Sequence, residues 1–467
     1  MDNLKLTRAL DMNSSYLGIE GLLLMENAGK EISLKADKYD KIAVFAGLGN
    51  NGGDGLVAAR QLSSIGKKVK VYSLKGERTK ENQINHDIIE KLDYIDVEYV
   101  TDSSQCDEIS KELTEYDCII EALIGAGIRG ELRQPVKGLV EALNHAKSHK
   151  IAVDLPAFGF KADLVLSFHL PKTQKAEVAQ ISIPREAELI CGPGDVYLAA
   201  PARVQEKHKG DYGRVLVVGA SREYIGAPVL TAYSALKSGA DLSIIAAPSY
   251  ALELMEKNPN LIYTKLDSKY YLDKSDVEKI LELNFDSIVV GNGLGTEKQS
   301  ADALKKLLKG TDKPIVFDAD ALKLLTPGVL KRYSRGNVIL TPHRAEYETL
   351  FGVKPKDYDT LKDKAHETNT VILLKAPVDV ISDGSQLKLN KTGNVGMTVG
   401  GTGDVLAGII GALACNRNTT LFYAAAAGSF ISGLAGDLCW EENKYYYTAT
   451  DVMEKIPNAF IYCEKYY

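Results

Sequence analysis

Residues 41–55 read KIAVFAGLGNNGGDG, and this stretch decides the fold of the first half of the chain. Its first six residues are a short apolar run of the kind that forms a buried strand. The next nine, residues 47–55, are mostly glycine, asparagine and aspartate, which predicts a loop at the end of that strand. Residues 56–65 return to the apolar spacing of a helix. The order strand, glycine loop, helix is typical of an α/β fold.

More strands of the same kind follow, separated by helical segments. In the first half they lie at residues 69–73, 118–122, 151–154 and 164–168. A second series occupies residues 214–218, 242–246, 287–290, 314–317, 338–340, 371–374 and 378–381. Strands that alternate with helices predict parallel sheets covered on both faces. Residues 184–209 carry prolines and a polar run, and we interpret them as a connector. We therefore expect two α/β domains, residues 1–200 and 201–467.

Composition excludes several classes of protein. The 467 residues are 45% hydrophobic and 25% charged, with a net charge of -6. This is an ordinary globular composition, and the length suits two domains. Acidic and basic residues are interspersed, with no basic block that alternates with aromatic residues. Nucleic acid is therefore not an expected partner.

Cysteine usage and the N-terminus bear on the compartment. The six cysteines are widely spaced and form no C-x-x-C pair, so neither a zinc site nor a disulfide framework is indicated. The first residues lack the apolar segment of a signal peptide. The longest apolar runs, such as residues 424–433, fall short of the roughly 18 residues that a membrane span needs. We expect a cytoplasmic protein without a membrane segment.

Two stretches match the G-x-G-x-x-G pattern of dinucleotide-binding loops, residues 47–52 and 125–130. Each match alone is weak. The strand at residues 69–75 does not end in the acidic residue that would hold a ribose, which disfavours an NAD-linked dehydrogenase. In the first loop, Asn50, Asn51 and Asp54 present amide and carboxylate oxygens, which suit a polar ligand or a hard cation. The alternative is a turn that only reverses the chain, but nine such residues exceed what a turn requires.

Three motifs resemble the NAD(P)H-hydrate epimerase domain, a Rossmann-like three-layer sandwich. They are LMENAG at residues 24–29, GNNGGDG at 49–55 and DLP at 154–156. The resemblance implies that two loops and one acidic residue hold the hydrated nicotinamide nucleotide. The residues implied are Asn50, Asn51, Gly52, Gly53 and Asp54, then Gly125, Ala126, Gly127, Ile128, Arg129, Gly130 and Glu131, and finally Asp154.

The same resemblance implies a potassium ion in the first domain. Its ligand positions correspond to Asn51, Glu121 and Ala157 in this sequence. Glu121 stands where the family usually has aspartate. Ala157 falls in DLPAF where the family usually has D-I-P-S-G, so a hydroxyl that normally joins the potassium shell is missing.

Residues 398–405 read TVGGTGDV and lead into a helical run of small apolar residues at 405–414. A glycine turn at a helix start is an anion site, since free N–H groups and the positive end of the helix dipole face the ligand. No G-x-x-x-x-G-K-[ST] motif supplies a P-loop. A carboxylate at Asp404 is unfavourable beside phosphate unless it accepts a proton, so we interpret Asp404 as a base. As an alternative, Asp404 only caps the helix.

Residues 400–404 resemble the anion hole of ribokinase-like enzymes. Five other motifs share the order and spacing of nucleotide-dependent NAD(P)H-hydrate dehydratases: HKGDYG at 208–213, GAP at 226–228, GNGLG at 291–295, DADAL at 318–322 and TPHRAE at 341–346. Together they imply a ribokinase-like α/β second domain. Two departures concern single positions, because Asn292 stands where proline is usual and Ala376 where glycine is usual.

The resemblance assigns roles to individual residues of the second domain. Substrate contacts are implied for Ala227, Gly293, His343 and Asp404, with Asp404 as the catalytic base. Contacts to the nucleoside phosphate are implied for Lys375, Ala376, Pro377, Val378, Asp379 and Gly403. For His343 we favour a positioning hydrogen bond, because Asp404 already supplies a base.

The function implied is repair of hydrated NADH and NADPH. The second domain would dehydrate the S hydrate with ADP or ATP and Mg2+, and the first would convert the R hydrate to the S hydrate with K+. The expected partners are NADHX, NADPHX and the nucleotide, and we expect a homo-oligomer. The alternative is a ribokinase-like small-molecule kinase whose N-terminal domain binds a ligand without catalysis.

Overall fold

The computed structural model describes residues 2–125 and 131–467. Within them the chain forms two compact units, Asp2–Pro184 and Arg185–Tyr467. The units therefore divide ahead of the boundary that we predicted at residue 200. Each unit is built on its own sheet, as the two series of predicted strands require.

The first unit contains helices α1 to α6 and strands β1 to β7. The helices are α1 Asn3–Tyr16, α2 Gly21–Ala36, α3 Asn50–Ser64, α4 Lys80–Ile89, α5 Cys106–Glu112 and α6 Val136–His145. The strands are β1 Lys41–Ala46, β2 Lys68–Leu74, β3 Ile95–Val100, β4 Cys118–Ala122, β5 His149–Val153, β6 Leu164–Phe168 and β7 Glu177–Ala179.

The strands of the first unit pair in the order β3-β2-β1-β4-β5-β6-β7, and every pair is parallel. The order reverses between β1 and β4, which is where open α/β sheets bind ligands. The predicted strands are confirmed, but β3 and β7 were missed. Both lie at the sheet edges and expose several residues, so neither has the continuous apolar run of a central strand.

Helix α3 begins earlier than the sequence indicated. We predicted a loop over residues 47–55, whereas the helix starts at Asn50 and only residues 47–49 connect it to β1. The glycines serve close packing in this helix. A Cβ on Gly53 would lie 2.5 Å from Met25 Sδ of α2, and one on Gly52 would lie 2.1 Å from the Gly47 carbonyl oxygen. Asn51 and Asp54 are therefore helical residues rather than loop residues.

The second unit contains helices α7 to α19 and strands β8 to β16. The helices are α7 Arg185–Leu189, α8 Pro193–Ala199, α9 Ala227–Lys237, α10 Ser249–Leu254, α11 Asp276–Glu282, α12 Lys298–Gly310, α13 Asp320–Leu324, α14 Pro327–Tyr333, α15 Arg344–Phe351, α16 Tyr358–Thr368, α17 Thr402–Leu413, α18 Leu421–Asn443 and α19 Ala449–Glu464. The strands are β8 Arg214–Val218, β9 Leu242–Ala247, β10 Ile262–Lys265, β11 Ser287–Val290, β12 Ile315–Phe317, β13 Val338–Leu340, β14 Val371–Leu374, β15 Asp379–Ser382 and β16 Leu387–Asn390.

The second sheet has the order β10-β9-β8-β11-β12-β13-β14-β15-β16, with a reversal between β8 and β11. It is parallel up to β14, but β14 pairs with β15 and β15 with β16 in antiparallel fashion. The prediction of a wholly parallel sheet is therefore wrong at this edge. The connections at residues 375–378 and 383–386 are too short for a crossover, so the chain can only turn back as hairpins.

Most of the predicted connector belongs to the second unit. Helices α7 and α8 replace the expected irregular segment over residues 185–199. Asp195 of α8 forms a buried ion pair with Lys388 of β16, at 2.9 Å. The Cys191 amide donates to the Leu389 carbonyl at 2.8 Å, and Val196 is fully buried. The prolines and glycines that indicated a linker are instead the starts of short helices.

Helices α17 and α18 fill the centre of the second unit. Gly408 of α17 allows a close approach to α9, because a Cβ there would lie 2.1 Å from the Thr231 carbonyl oxygen. Helix α18 is long and apolar enough to cross a membrane by length and composition alone, but 78% of its apolar window is buried in the protein. It packs against α8, α17 and α19. Such burial is typical of a core helix.

Candidate functional site

The cleft of the first unit lies at the reversal between β1 and β4. Gly47 follows β1 and approaches the chain after β4 so closely that a Cβ on it would lie 1.9 Å from the Leu123 carbonyl oxygen. Asn51, in the first turn of α3, donates its side-chain amide to the carbonyl of Val153 at 2.9 Å and of Ile124 at 3.2 Å. Asn51 thus ties the start of α3 to the ends of β4 and β5.

Asp154 follows β5 in a conformation that is rare for aspartate, with φ of 61°. Its carboxylate forms an ion pair with Lys172 and accepts the Phe168 amide at 3.3 Å. The Lys172 side chain is only 2% exposed and also donates to the Phe168 carbonyl at 2.9 Å. Strained residues held by several contacts are frequent at functional sites.

Two more acidic residues face the Asp154–Lys172 pair. Burial, followed by the charges of Asp154 and Asp11, raises the pKa of Asp54 well above its usual value. Burial raises the pKa of Asp11 to about 7, against the opposing effect of Lys172. The cleft therefore combines two carboxyl groups whose pKa is raised with a carboxylate paired to a lysine, which is the arrangement of an acid–base site.

Glu121 of β4 occupies the expected potassium position. It is fully buried, and its two oxygens accept the amides of Leu123 at 3.0 Å and Ala157 at 3.1 Å. Burial raises the pKa of Glu121 to about 7 although these amides act to lower it. Across residues 2–125 and 131–467 no lysine or arginine pairs with it. Ala157 enters this group through its backbone N–H, since its side chain has no oxygen.

The remaining predicted residues of the first unit are placed as follows. Gly52 and Gly53 lie buried in α3, and Asn50 is exposed at its start. Gly125 lies next to Asn51, because a Cβ on it would be 2.9 Å from Asn51 Oδ1. Glu131 is exposed. Ala126, Gly127, Ile128, Arg129 and Gly130 lie outside the described residues.

The candidate site of the second unit is centred on the N-terminus of α17. Gly401 is the residue that caps this helix, with φ of 98°, a conformation that favours glycine. The helix begins at Thr402, whose hydroxyl donates to the Met397 carbonyl at 2.9 Å and fixes the preceding loop. Asp404 lies in the first turn of the helix, so the alternative that it caps the helix is wrong. The first N–H groups of α17 lack partners within the helix and face outward.

Asp404 is linked to the ends of β11 and β12 by one side chain. The Asn292 amide group donates to Asp404 Oδ1 at 2.6 Å and to Asp318 Oδ2 at 3.0 Å. Asn292 follows β11 and is fully buried, and Asp318 follows β12 and is 2% exposed. Three segments that are distant in sequence therefore meet at the reversal of the second sheet.

Lys375, at the end of β14, completes this network. Its ammonium group lies 2.8 Å from Asp318 Oδ1 and 3.9 Å from Glu346 Oε2. Burial acts to lower the pKa of Lys375, but Asp318 and Glu346 outweigh it, and the pKa is raised. A Cβ on Gly403 would lie 3.5 Å from Lys375 Nζ. A positive charge thus lies beside the N-terminus of α17, as anion binding requires.

The environment of Asp404 suits a base. Burial and then the negative charge of Asp318 raise its pKa to about 6, against the opposing effects of Asn292 and Lys375. A carboxylate of this pKa is ionised at neutral pH yet binds a proton more strongly than an exposed aspartate does.

His343 caps helix α15. Its Nδ1 accepts the amides of Ala345 at 3.1 Å and Glu346 at 3.2 Å, and its Nε2 lies 3.4 Å from Glu346 Oε1. The ring is 52% exposed at the same strand ends as Lys375. A ring whose Nδ1 is occupied by the cap is well fixed for a contact through Nε2, which agrees with a positioning role.

The segment after Lys375 turns around Asp379. The Asp379 carboxylate accepts the Ala376 amide at 3.0 Å and the Ser429 hydroxyl at 2.6 Å, while Pro377 and Val378 are exposed. The Asp379 side chain therefore shapes the turn and does not face outward. A cavity of about 350 Å³ borders this segment. Its lining includes Arg344, Lys356 and Tyr358 together with Ala376, Pro377 and Val378.

Ala227 and Gly293 lie on either side of the reversal of the sheet. Ala227 is the first residue of α9, which follows β8. Gly293 comes directly after Asn292 and has φ of 66°. It lies close to Tyr224, because a Cβ on Gly293 would be 2.9 Å from Tyr224 Cβ. The structure thus brings Ala227, Gly293 and Asp404 to one end of the second sheet.

Several residues of these sites were not predicted. Asp11 and Lys172 of the first unit belong to none of the motifs, and no local signal marks them. Asn292, Asp318 and Glu346 of the second unit lie inside motifs that we recognised, yet we had assigned none of them a role. Their contacts join separate strands, so spacing along the sequence does not reveal them.

Comparisons with known proteins match both units of the chain. The family model described as NAD(P)H-hydrate dehydratase matches residues 215–458, and the one described as YjeF-related protein N-terminus matches residues 21–174. The solved structure of an ADP/ATP-dependent NAD(P)H-hydrate dehydratase from Bacillus subtilis, co-crystallised with ATP and Mg2+, is 27% identical with a TM-score of 0.50. The match covers 59% of this chain and 99% of that chain, so it concerns the second unit.

Relatives that match nearly the whole chain carry a single name. The bifunctional NAD(P)H-hydrate repair enzyme Nnr of Archaeoglobus fulgidus is 38% identical over 482 residues, which cover 98% of either chain. Its namesake from Hyperthermus butylicus is 37% identical over 491 residues, covering 96% of this chain and 90% of its own. With both parts matched in the expected order, the chain belongs to the family of bifunctional NAD(P)H-hydrate repair enzymes.

Proposed function

We propose that this protein restores hydrated NADH and NADPH to the reduced coenzymes. The second unit dehydrates the S hydrate with ADP or ATP as co-substrate, and the first unit converts the R hydrate to the S hydrate. The observation that carries the proposal is the position of Asp404. It is a carboxylate with a pKa of about 6 in the first turn of α17, beside the ammonium group of Lys375.

Asp404 acts on the hydroxyl group at C6 of the hydrated ring. It accepts the proton of this hydroxyl as the oxygen attacks the terminal phosphorus of the nucleotide, whose bridging P–O bond breaks. The amides at the N-terminus of α17 and the Lys375 ammonium stabilise the charge that develops on the phosphoryl group. The ring nitrogen then expels phosphate from C6, and C5 loses a proton to form the ring double bond. No phosphorylated product accumulates.

The nucleotide extends from α17 along the segment after β14. Lys375 and Gly403 hold its terminal phosphates, and Ala376, Pro377, Val378 and Asp379 form the wall beside them. The cavity bordered by Arg344, Lys356 and Tyr358 is adjacent to this wall. Its aromatic ring and two cations suit the base and the remaining phosphates, so we place the nucleoside there.

Magnesium enters this site with the nucleotide, whose phosphates provide most of its ligands. Glu346 is the carboxylate that we assign to it. Glu346 is 6% exposed and lies 3.9 Å from Lys375, so a carboxylate oxygen borders the phosphate position. When bound, the metal supplies positive charge to the transferring phosphoryl group.

Ala227, Gly293 and His343 position the hydrated ring against Asp404. Ala227 and Gly293 are small and leave space at the reversal of the sheet, while the half-exposed ring of His343 can reach the substrate through Nε2. We expect His343 to contribute to binding rather than to proton transfer.

In the first unit, Asn50, Asn51, Gly52, Gly53 and Asp154 hold the hydrated nucleotide together with residues 125–131. Epimerisation at C6 requires a proton for the departing hydroxyl and a base for the water that returns. Burial and then Asp154 raise the pKa of Asp54 well above its usual value, so we assign Asp54 as the proton donor. Asp154, held by Lys172, is the complementary carboxylate.

The residues at the potassium position fit a monovalent cation. Glu121 is a buried carboxylate without a cationic partner in the described chain, and Asn51 presents an amide oxygen towards Gly125. A buried charge of this kind needs compensation. Glu121 and Asn51 would hold potassium here, with Ala157 contributing only backbone groups, and the ion would supply positive charge beside the buried carboxylate. We further propose a cytoplasmic homo-oligomer.

The test uses both hydrate epimers and each nucleotide, with recovery of NADH absorbance as the readout. We expect complete conversion, with free phosphate equal to the NADH formed and AMP or ADP as the second product. Asp404→Ala should abolish conversion while nucleotide still binds. The matched control is Asp302→Ala, which removes an exposed aspartate from α12. Phosphate retained on the substrate would instead identify a kinase, and no conversion would refute the proposal.

A further inference from the structure

Asn292 lies next to the proposed base, Asp404, and has no role in the proposed function. Asn292 Nδ2 donates one hydrogen to Asp404 Oδ1 at 2.6 Å and the other to Asp318 Oδ2 at 3.0 Å. Asn292 is fully buried. Among the described residues, Asn292 is the only side chain that donates a hydrogen bond to Asp404. The orientation of the base therefore depends on Asn292.

The other end of the Asn292 amide has no partner. Its Oδ1 is buried and accepts no hydrogen bond from the described residues. A buried carbonyl oxygen without a hydrogen bond destabilises the folded state. Stability alone would favour an apolar side chain of the same volume at this position. The role of Asn292 therefore lies in the hydrogen bonds of its amide.

Asp318 determines which way the Asn292 amide points. Asp318 Oδ1 accepts hydrogen bonds from Lys375 Nζ at 2.8 Å and from the Thr341 hydroxyl at 2.7 Å, and Asp318 Oδ2 accepts the one from Asn292. The reverse orientation of the amide would place its oxygen between two carboxylates, and the repulsion excludes it. The NH2 group must therefore face both Asp318 and Asp404.

We propose that Asn292 is a positioning residue of the dehydratase, which holds Asp404 in the ionised form and in the orientation needed to accept the substrate proton. The inference rests on the proposed function of Asp404. A hydrogen bond donated to a carboxylate favours its charged form. Among the other groups that face Asp404, Asp318 and Asp320 disfavour this form, and Lys375 favours it. Without Asn292, two negative charges would be opposed only by Lys375.

The test compares Asn292→Asp and Asn292→Leu with the unaltered protein. Asn292→Asp keeps the shape of the side chain but removes the donors and adds a charge, whereas Asn292→Leu removes them without a charge. We expect kcat/KM for the S hydrate at pH 7 to fall at least tenfold in both variants, with KM for the nucleotide changed less than threefold. The acidic limb of the pH profile should move upward by about half a unit or more, and further in Asn292→Asp.

The matched control is Asn337→Leu. Asn337 is a buried amide of the same unit that donates to the carbonyls of Thr311 and Lys313 and touches no carboxylate. Asn337→Leu should lower the free energy of unfolding without moving the pH profile of kcat/KM. An acidic limb that stays in place in Asn292→Asp and Asn292→Leu would overturn the inference, as would an equal shift in Asn337→Leu.

A second measurement separates this inference from the proposed function. The titration of Asp404 is followed by carbon NMR of protein labelled at the aspartate carboxyl groups, with Asp404→Asn used to assign the signal. If the unaltered protein fails to dehydrate the hydrate, the proposed function fails, but the titration still decides the role of Asn292. An Asp404 signal that titrates at the same pH with and without Asn292 would refute the inference.

Discussion

At the scale of single residues, the character of the second site is set by where charge is buried. Asp404, in the first turn of α17, and Asp318, at the end of β12, are neighbouring carboxylates, and only Asp318 is paired with Lys375. Burial, followed by the negative charge of Asp318, makes Asp404 hold a proton more strongly. The same residue types thus have different roles because their neighbours differ. Two consequences can be measured at this scale.

The first concerns the dependence of dehydration on pH. Asp404 must be ionised to accept a proton, and burial followed by the charge of Asp318 raises its pKa to about 6. We expect kcat/KM for the S hydrate to be constant above pH 7 and to fall about tenfold per unit well below pH 6. The measurement is a pH series at saturating nucleotide. An acidic limb near pH 4 would show that Asp404 is not the base.

The second concerns stability. The folded state binds the Asp404 proton more tightly than the unfolded state, so this contribution to stability is present below about pH 3.8 and is lost as pH rises through 6. Asp404→Asn removes the ionisable group and keeps an acceptor for Asn292. We expect it to unfold at higher urea concentration than the unaltered protein at pH 8, by on the order of 1–2 kcal/mol. The difference should vanish near pH 4, and its persistence there would contradict the assignment.

At the scale of elements, both sites lie where a sheet reverses its strand order. In the first unit this places the start of α3 between the ends of β1 and β4, and in the second it places α17 opposite the ends of β8 and β11. Parallel strands present their carboxyl ends on one side, so loops that are far apart in sequence converge there. Helix α17 contributes its N-terminus to the same point, which combines an anion site with a base.

The anion site at the N-terminus of α17 can be tested with the substitution Gly403→Ala, which adds one methyl group. A Cβ on Gly403 would lie 3.5 Å from Lys375 Nζ, an ordinary contact, so Gly403→Ala should fold normally. The methyl group would occupy the position of the terminal phosphate, and we expect KM for the nucleotide to rise about tenfold or more, with KM for the hydrate little changed. Gly328→Ala is the matched control, because a Cβ there contacts nothing within 4 Å in α14. Equal effects of the two substitutions would contradict the assignment.

The potassium position at the end of β4 can be tested without an activity assay. A cation that binds the folded protein only must stabilise it. We expect KCl to raise the melting temperature of the first unit above its value in choline chloride of equal ionic strength, by several degrees at saturation. Glu121→Gln should remove this difference, whereas Glu115→Gln, at an exposed position, should keep it. The same melting temperature in both salts would exclude the site.

At the scale of the whole molecule, two chemically distinct sites lie on one chain. Each unit has its own sheet and its own cleft, and the family model matched by each is different. Under the proposed function, a dehydratase specific for one epimer of the hydrate would leave the other. The presence of both units on one chain is consistent with complete repair of both epimers.

The division of labour predicts distinct results for the two epimers. Asp154→Asn disrupts the pair with Lys172 in the first unit and leaves the second unit unaltered. With a mixture of epimers, we expect rapid conversion of the S fraction only, followed by the slow spontaneous rate for the R fraction. The rate for pure S hydrate serves as the internal control. Equal rates for both epimers would show that Asp154 has no part in epimerisation.

The amino-acid sequence by itself determined the α/β class, nearly all central strands, and the residues at the start of α17. These features depend on local patterns: apolar runs, glycine turns, and motifs whose members are close along the chain. The edge strand β3 escaped because only its first and last residues are buried, so it lacks an apolar run. The antiparallel edge from β14 to β16 followed from short connections that apolar patterning does not reveal.

Only the tertiary structure decided which side chains form hydrogen bonds and ion pairs with one another. Asn292, Asp318 and Lys375 come from three strands, and their contacts around Asp404 exist because those strands end on the same side of one sheet. In the first unit, Asp11 from helix α1 and Lys172 from the segment after β6 come close to Asp154 from other parts of the chain. A hydrogen bond or a charge acts over a few ångströms regardless of separation along the chain, so the protonation of Asp404 is a property of the fold and not of its motif.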